Sequence, residues 1–353
     1  MTENPWFQWK GDRLQVIDQT RLPLEVHLLE LTTAAETVDA IERLAVRGAP
    51  TIGAVGGYGV VLGLREDLPE DLERARQRLD DVVDYIGSAR PTAVALRVAV
   101  EGVRRAASAA SSTAEMLDLA IEAADDFIQH DRASCDAIAA NGVELLRGTR
   151  RFLTHCNTGR FATTGSGTAL AVLYALHDTG DALEVLASES RPLLQGSRLT
   201  AWELREAGID VRVIADGAGA AALSAGLVDA VIVGADRIAM NGDTANKIGT
   251  FAHAIAADRF GVPFYVAAPI NTFDADTATG ADIEIELRDG TELLRVGGVA
   301  VADVETGAWN PAFDVTPADL VTAFITDRGV LRPPFLDSIR SAIVSEQTMA
   351  PDA

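Results

Sequence analysis

From Arg151 onward the chain alternates short apolar runs with amphipathic stretches, and this alternation constrains its fold more than any other feature. The runs are FLTHC, LEVLA, VRVIA, AVIVG and PFYVAA, each followed by a break and then, in most cases, by a helical stretch. Short, β-branched runs that end at glycine or small polar residues are buried strands, and strands separated by helices build a doubly wound parallel sheet. The predicted class is α/β. A C-terminal, Rossmann-like parallel-sheet domain is expected over 151–353, a smaller and mainly helical domain with a short β start over 1–120, and a connecting helix over 121–150. The tail, with IEIEL and then NPAFDVTPADLVTAFIT, is expected to hold a helix opened by Thr316, Pro317 and Asp319.

The first third reads differently. RLQVIDQTRLP alternates apolar and polar residues before Pro23, as a short strand does. Thr33 and Glu36 have capping-box spacing ahead of Val38, Ile41 and Leu44. Arg47-Gly48-Ala49-Pro50 is a turn leading into a helix with Gly53, Gly56, Gly57 and Gly59. Those glycines follow a helix and not a strand, so they do not form a dinucleotide fingerprint and are expected to allow close helix packing. An acidic helix over about 69–87 ends at SARPTAV, where Arg90 precedes a proline suited to the first position of the next helix. Helices over 92–109 and 113–147 complete this part, with Cys135 as a packed helical residue.

Two stretches carry chemistry. In DAVIVGADRIAMNGDTANKIGTF (229–251) a buried strand breaks at Gly-Ala and releases Asp236 and Arg237. Ligands of open α/β sheets bind beyond the carboxyl ends of the strands, so Asp236 stands where reactions occur. A polar loop and then a new helix carrying Asn246 and Lys247 are expected next, an amide and a cation beside a helix N-terminus that suits an anion. Lys247 is one of only two lysines, the other being Lys10. In the second stretch, THCNTGRFATTGSGTAL, Cys156 ends a strand before a loop rich in glycine and hydroxyl residues. Such a loop presents N–H groups to an anion and favours a thiolate. His155 is adjacent in a strand and points to the opposite face, which argues against a Cys–His nucleophile pair. Cys156 and Asp236, both at strand ends of one sheet, suit acid–base work on a phosphorylated small molecule.

Composition narrows the partners. A net charge of −22, spread along the chain, argues against nucleic acid. No apolar run reaches the length of a membrane span, and the opening residues match neither a signal nor a transit peptide, so a soluble cytoplasmic protein is expected. Two cysteines cannot make a disulfide framework, and five scattered histidines show no metal-ligand spacing.

RGAPTIG, SARPTA, HCNTG, SRPLLQGSRLTAWEL, GADRIAMNGDTANKIGT, PFYVAAP and NPAFDVTP together resemble the methylthioribose-1-phosphate isomerases of methionine salvage, from about residue 16 to residue 330. The resemblance implies an aldose–ketose isomerase with Cys156 and Asp236 as catalytic pair. It further implies a substrate site lined by Arg47, Gly48, Ala49, Arg90, Gln195, Asn246 and Lys247, no cofactor and no metal, and a homodimer. The same superfamily holds ribose-1,5-bisphosphate isomerases and non-catalytic regulatory subunits of a translation-initiation exchange factor. Three places depart from the family pattern: Arg160-Phe161 after HCNTG, Ser190 where threonine is usual, and DGAGAAA after VRVIA. Arg160 is expected to point outward, leaving Phe161 as an apolar wall; inward, it would pair a phosphate on carbon 5.

The dispersed acidic charge predicts that melting temperature and activity rise from low to molar salt, because screening relieves self-repulsion. A salt series with a flat melting temperature would assign the acidic residues to composition alone.

Overall fold

The computed structural model describes residues 4–90, 93–303 and 305–349. Contacts gather the chain into two units. One runs to Ala133 and also takes in Arg160–Gly167; the other comprises Ser134–Gly159 and the chain from Thr168 on. The boundary near 133 lies inside a single long helix, between the positions 120 and 150 expected from sequence.

The first unit opens with an antiparallel meander, β1 (Phe7–Trp9), β2 (Leu14–Ile17) and β3 (Leu28–Leu31), in which Leu14 pairs with both Trp9 and Leu31. Helix α1 (Ala34–Glu42) carries the Thr33–Glu36 capping box that its sequence spacing predicts. Helix α2 (Ala49–Glu66) is buried all round from Thr51 to Leu64, not on one face alone. Its glycines make that possible: a Cβ on Gly53 would stand 2.9 Å from the Ala95 carbonyl oxygen, and one on Gly59 2.6 Å from Thr37. Around α2 pack α1, α3 (Leu72–Gly87), α4 (Val94–Ser108) and the first part of α5 (Thr113–Leu146). The proline expected to open α4 lies outside the described residues; the helix is seen from Val94.

In the second unit, β4 (Arg151–Thr154), α6 (Ala169–Asp178), β5 (Glu184–Ser188), α7 (Ala201–Glu206), β6 (Asp210–Ile214), α8 (Gly219–Ser224) and β7 (Ala230–Val233) follow in order. Then come a hairpin of β8 (Arg237–Ala239) and β9 (Thr244–Lys247), α9 (Thr250–Phe260), β10 (Phe264–Ala267) and β11 (Phe273–Asp274). A short α10 (Thr291–Leu294) leads into the hairpin β12 (Arg295–Val296) and β13 (Val299–Ala300). The chain finishes with β14 (Phe313–Thr316), β15 (Ala323–Thr326), β16 (Gly329–Leu331) and α11 (Phe335–Met349). All five expected strands lie in a seven-stranded sheet ordered β16-β15-β10-β7-β4-β5-β6, parallel except for β16. Both faces are covered. Leu153, Val231, Val233 and Phe324 pack into one core, while Phe152, Ala230, Ile232 and Ile325 pack into the other, the alternation that a strand period of two requires.

Two local expectations are corrected. Asn246 and Lys247 lie on β9, a strand paired with β14, and the helix begins only at Thr250. The cause is Asn241-Gly242-Asp243, which turns the chain back with Gly242 at φ 92°, a hairpin signal. The Asp243 carboxylate secures that turn by accepting from Asn241 Nδ2, the Gly280 N–H and the Ala318 N–H. Thr316, Pro317 and Asp319 open no α-helix. Thr316 ends β14, a 3-10 turn spans Ala318–Leu320, and the chain then enters β15 beside β10. Of IEIEL, only Leu287 pairs, in an isolated bridge to Pro311.

The glycines give a direct test. Gly102, in α4 with open space around its Cβ position, should gain about 0.5–1 kcal/mol on Gly102→Ala. Gly53→Ala should lose about 1–3 kcal/mol through overpacking. Urea midpoints that move the same way for both would contradict the packing described for α2.

Candidate active site

Counted in chain order, the six parallel strands lie 3-2-1-4-5-6 across the sheet, and the order reverses between β4 and β7. These two strands are neighbours, with Phe152 opposite Ala230 and Leu153 opposite Val231. A reversal of this kind opens a crevice beyond the carboxyl ends of the two strands, because the connections leave in opposite directions. Cys156 stands two residues beyond β4 and Asp236 three beyond β7. The sheet thus releases both expected catalytic residues at its one switch point.

Cys156 is half-buried and has φ 64°. That left-handed backbone costs an ordinary L-residue on the order of 1 kcal/mol or more, so the surroundings must hold it. They do so from both sides. The Cys156 N–H donates to Ser190 Oγ at 2.8 Å, and the Cys156 carbonyl accepts from Thr200 Oγ1 at 2.6 Å. Thr200 lies in a π-helical turn, Gly196–Thr200, that feeds α7. Gly196 is obligatory there, since a Cβ would fall 1.6 Å from the Ser188 carbonyl oxygen. Below the loop, buried Glu203 accepts from Asn157 Nδ2 at 2.7 Å and from the Tyr174 hydroxyl at 3.0 Å.

His155 bonds through Nε2 to the Ile248 carbonyl at 2.8 Å, and its ring meets His253 edge-on at 5.1 Å. Its Nδ1 stands 3.9 Å from Asp216 Oδ1. Burial disfavours the imidazolium in both rings, lowering the His155 pKa and bringing that of His253 down to about 4. The two are a neutral buried pair behind the cysteine loop.

Asp236 is exposed on this chain, with its N–H bonded to the Ala245 carbonyl at 2.9 Å. Arg237 instead turns to Asp274, at 3.4 Å. Gln195 is 3 % exposed, yet its Oε1 has no hydrogen-bond partner among the described residues, and the same is true of Thr158 Oγ1. A buried acceptor left open is costly unless a ligand or water completes it. Asn246 donates to Thr250 Oγ1 at 3.0 Å; Lys247 donates to the Ala312 carbonyl at 2.7 Å and lies 4.6 Å over the Phe313 ring. The anion site expected at the helix after them is already occupied. The Asp314 carboxylate accepts the Gly249 N–H at 2.7 Å and the Phe251 N–H at 3.2 Å, and its burial raises its pKa to about 6.

The remaining expected residues belong to the first unit. Arg47 is buried, Gly48 is the N-cap of α2 at φ 90°, and Ala49 is its first residue. Gly48 lies against Ala162, where a Cβ would come within 2.5 Å of Cα. Arg90 is half-buried in the α3–α4 connection. The segment Arg160–Gly167, which continues the cysteine loop, is fastened to this unit at several points. Gln19 Nε2 and Thr51 Oγ1 donate to the Phe161 carbonyl at 2.9 and 3.2 Å, Asn4 Nδ2 to that of Arg160 at 2.8 Å, and buried Asp131 accepts the Thr164 N–H and Oγ1, both at 2.6 Å. Phe161 is therefore no free apolar wall: it is 1 % exposed, with its ring 6.2 Å from Trp6.

Sequence reasoning missed Glu203, Asp216, Asp131 and Asp314. Their partners are backbone groups and side chains far along the chain, and the only trace of Glu203 was its place inside LTAWEL. Among the described residues, no three His, Cys, Asp or Glu side chains gather as a metal site would require, and no helix is long and apolar enough to cross a membrane.

The Initiation factor 2 subunit family model matches residues 45–333. A methylthioribose-1-phosphate isomerase of Heliobacterium modesticaldum is 46% identical over 341 residues, covering 95% of this chain and 97% of its own length. A 5-deoxyribose 1-phosphate isomerase of Moorella thermoacetica is 45% identical over 340 residues, covering 96% and 97%. The crystal structure of 5-methylthioribose 1-phosphate isomerase from Pyrococcus horikoshii OT3 is similar with TM-score 0.91 and 36% identity, over 98% of this chain and 96% of that one.

The neutral histidine pair predicts a pH dependence. With a folded pKa near 4 against 6.5 unfolded, His253 contributes stability that is present above about 6.5 and is lost as pH falls toward 4. Asp314, raised from 3.8 to about 6, acts in the opposite sense over its own range. His253→Gln should be less stable than wild type at pH 7, and its deficit in urea midpoint should shrink by pH 5. A deficit that stays constant would mean the ring is already solvated or charged.

Proposed function

This chain belongs to the Initiation factor 2 subunit family and, within it, to the methylthioribose-1-phosphate isomerases, and on that premise we propose that it converts 5-methylthioribose 1-phosphate to 5-methylthioribulose 1-phosphate. One observation carries the reading. A cysteine in a strained backbone and an exposed aspartate leave two adjacent strands at the point where the strand order reverses.

The chemistry needs two such groups. Carbon 1 of the substrate bears a phosphate ester, so the ring lacks the free hemiacetal that ordinary aldoses open. Asp236 acts as the general acid that protonates the ring oxygen while the ring opens. Cys156 then assists the movement of hydrogen from carbon 2 to carbon 1, and the carbon-2 hydroxyl gives up its proton to leave the ketone there, which balances the proton donated to the ring oxygen. Gln195, with its open buried acceptor, is suited to a sugar hydroxyl, and Asn246 to another. Arg47 and Arg90 supply guanidinium groups for the phosphate. Lys247 adds an ammonium group as a further candidate for the phosphate. Gly48 and Ala49 shape the entry to α2. A regulatory family member would have no use for a cysteine held against its backbone preference. The protein works in the cytoplasm as a homodimer, without a cofactor.

Incubating purified protein with methylthioribose 1-phosphate should yield the ketose. Cys156→Ala and Asp236→Asn should each lower kcat by about 10²-fold or more with unchanged melting, while Cys135→Ala behaves as wild type. The 5-deoxy sugar 1-phosphate should also be turned over, whereas ribose 1,5-bisphosphate should be a poor substrate. Near-normal rates in a folded Cys156→Ala or Asp236→Asn protein would remove that residue from the mechanism.

A further inference from the structure

The backbone of Cys156 is gripped at both of its polar atoms by side-chain hydroxyls, and each hydroxyl engages a second partner as well. Ser190 Oγ accepts the Cys156 N–H at 2.8 Å and donates onward to the Ser188 carbonyl at 3.1 Å. Thr200 Oγ1 donates to the Cys156 carbonyl at 2.6 Å and accepts from Asn157 Nδ2 at 3.2 Å. A hydroxyl has one proton to give, so these directions are fixed by the partners and not interchangeable.

Each grip is backed by a carboxylate. Asp216 accepts the N–H of Ser190 and the N–H of Arg191, both at 2.7 Å, and the Ser188 hydroxyl as well. This holds Ser190, itself at φ 63°, in place. On the other side Glu203, 4 % exposed, accepts the same Asn157 amide that reaches Thr200. Gly159 leaves room for that carboxylate, since a Cβ there would lie 2.4 Å from it. All these residues belong to the second unit.

We propose that Ser190 and Thr200 are positioning residues for Cys156: together they hold its peptide in the left-handed conformation that aims the thiol, with Asp216 and Glu203 fixing the two hydroxyls. This rests on the reading of Cys156 as a reacting group. The physical reason is that a non-glycine residue at positive φ relaxes toward the ordinary regions once its hydrogen bonds are removed. Relaxation swings the Cα–Cβ bond and displaces the sulfur, and a misplacement of about 1 Å costs on the order of 10²-fold in rate.

The test uses Ser190→Ala, Thr200→Val and Thr200→Ser, each in the full chain carrying Cys135→Ala, so that iodoacetamide reports on Cys156 alone. Ser190→Ala and Thr200→Val should each lower kcat by about 10- to 100-fold with KM within about twofold. The pH profile of Cys156 alkylation should shift in both. Thr200→Ser, which keeps the hydroxyl, should recover most of the lost rate and restore the alkylation profile. Wild-type kcat with an unmoved alkylation profile in either folded variant would overturn the proposal, as would Thr200→Ser failing as badly as Thr200→Val. Should Thr200→Val not fold, Ser190→Ala decides the matter alone. If Cys156→Ala keeps its turnover, the catalytic reading of Cys156 falls, but the alkylation profiles still decide whether Ser190 and Thr200 hold the thiol.

Discussion

The pairing of Arg151–Thr154 with Ala230–Val233 is the constraint on which the rest of the second unit depends. These strands are separated by more than seventy residues of chain, so their adjacency is a long-range choice made by burial. Phe152, Leu153, Ala230 and Val231 are all essentially inaccessible to water. Backbone polar groups in such a place must be paired, and a parallel partner with both faces covered by helices satisfies them. Once those two strands are neighbours, the chain before them winds one way and the chain after them the other. The gap at their carboxyl ends is a consequence of that winding.

Function then needs the ends of these strands to be shaped, and most of the structure's local irregularity is concentrated there. Positive φ at Cys156, Ser190 and Leu194 and a π-helical turn at Gly196–Thr200 fall on the two connections that follow β4 and β5, and the buried Glu203 carboxylate sits in α7 just after them. Each would be destabilising by itself. They persist because each polar group within them is matched to another: N–H to hydroxyl, hydroxyl to carbonyl, amide to carboxylate. The open Oε1 of Gln195 and Oγ1 of Thr158 are exceptions, one on each of these connections, among the described residues. A network left open at a few buried polar atoms is suited to a polar ligand or water that completes it.

The first unit solves a different problem. A helix buried on every side needs neighbours at close range, and α2 meets this with glycine facing Phe127, Thr37 and Val82. The same need for close approach recurs at Gly48, which backs onto Ala162. The segment that continues the cysteine loop is in this way part of the packing of the RGAPT turn, and Thr51 adds hydrogen bonds at Phe161 and Ala162. Motifs more than one hundred residues apart in the chain are thereby fixed to one another.

Much of this was legible from residue order alone. Strand–helix alternation specified the parallel sheet, because a buried β-branched run has few other ways to satisfy its backbone. T-x-x-E marked the start of α1, and the apolar runs before Cys156 and Asp236 placed both residues just beyond strand ends. Residue order did not specify where Asn246 and Lys247 would lie. The Asn-Gly-Asp turn and the partner strand Phe313–Thr316 drew them into a hairpin, and the pull of a strand sixty-six residues away is invisible to a local window. Likewise, Asp314 filled the helix N-terminus that looked ready for a phosphate, and Phe161 was absorbed by Trp6. Sequence determined the elements and the candidate residues, since both follow from periodicity and local chemistry. Tertiary structure decided which polar groups were paired and which backbone was held under strain, since both depend on partners that only folding brings near.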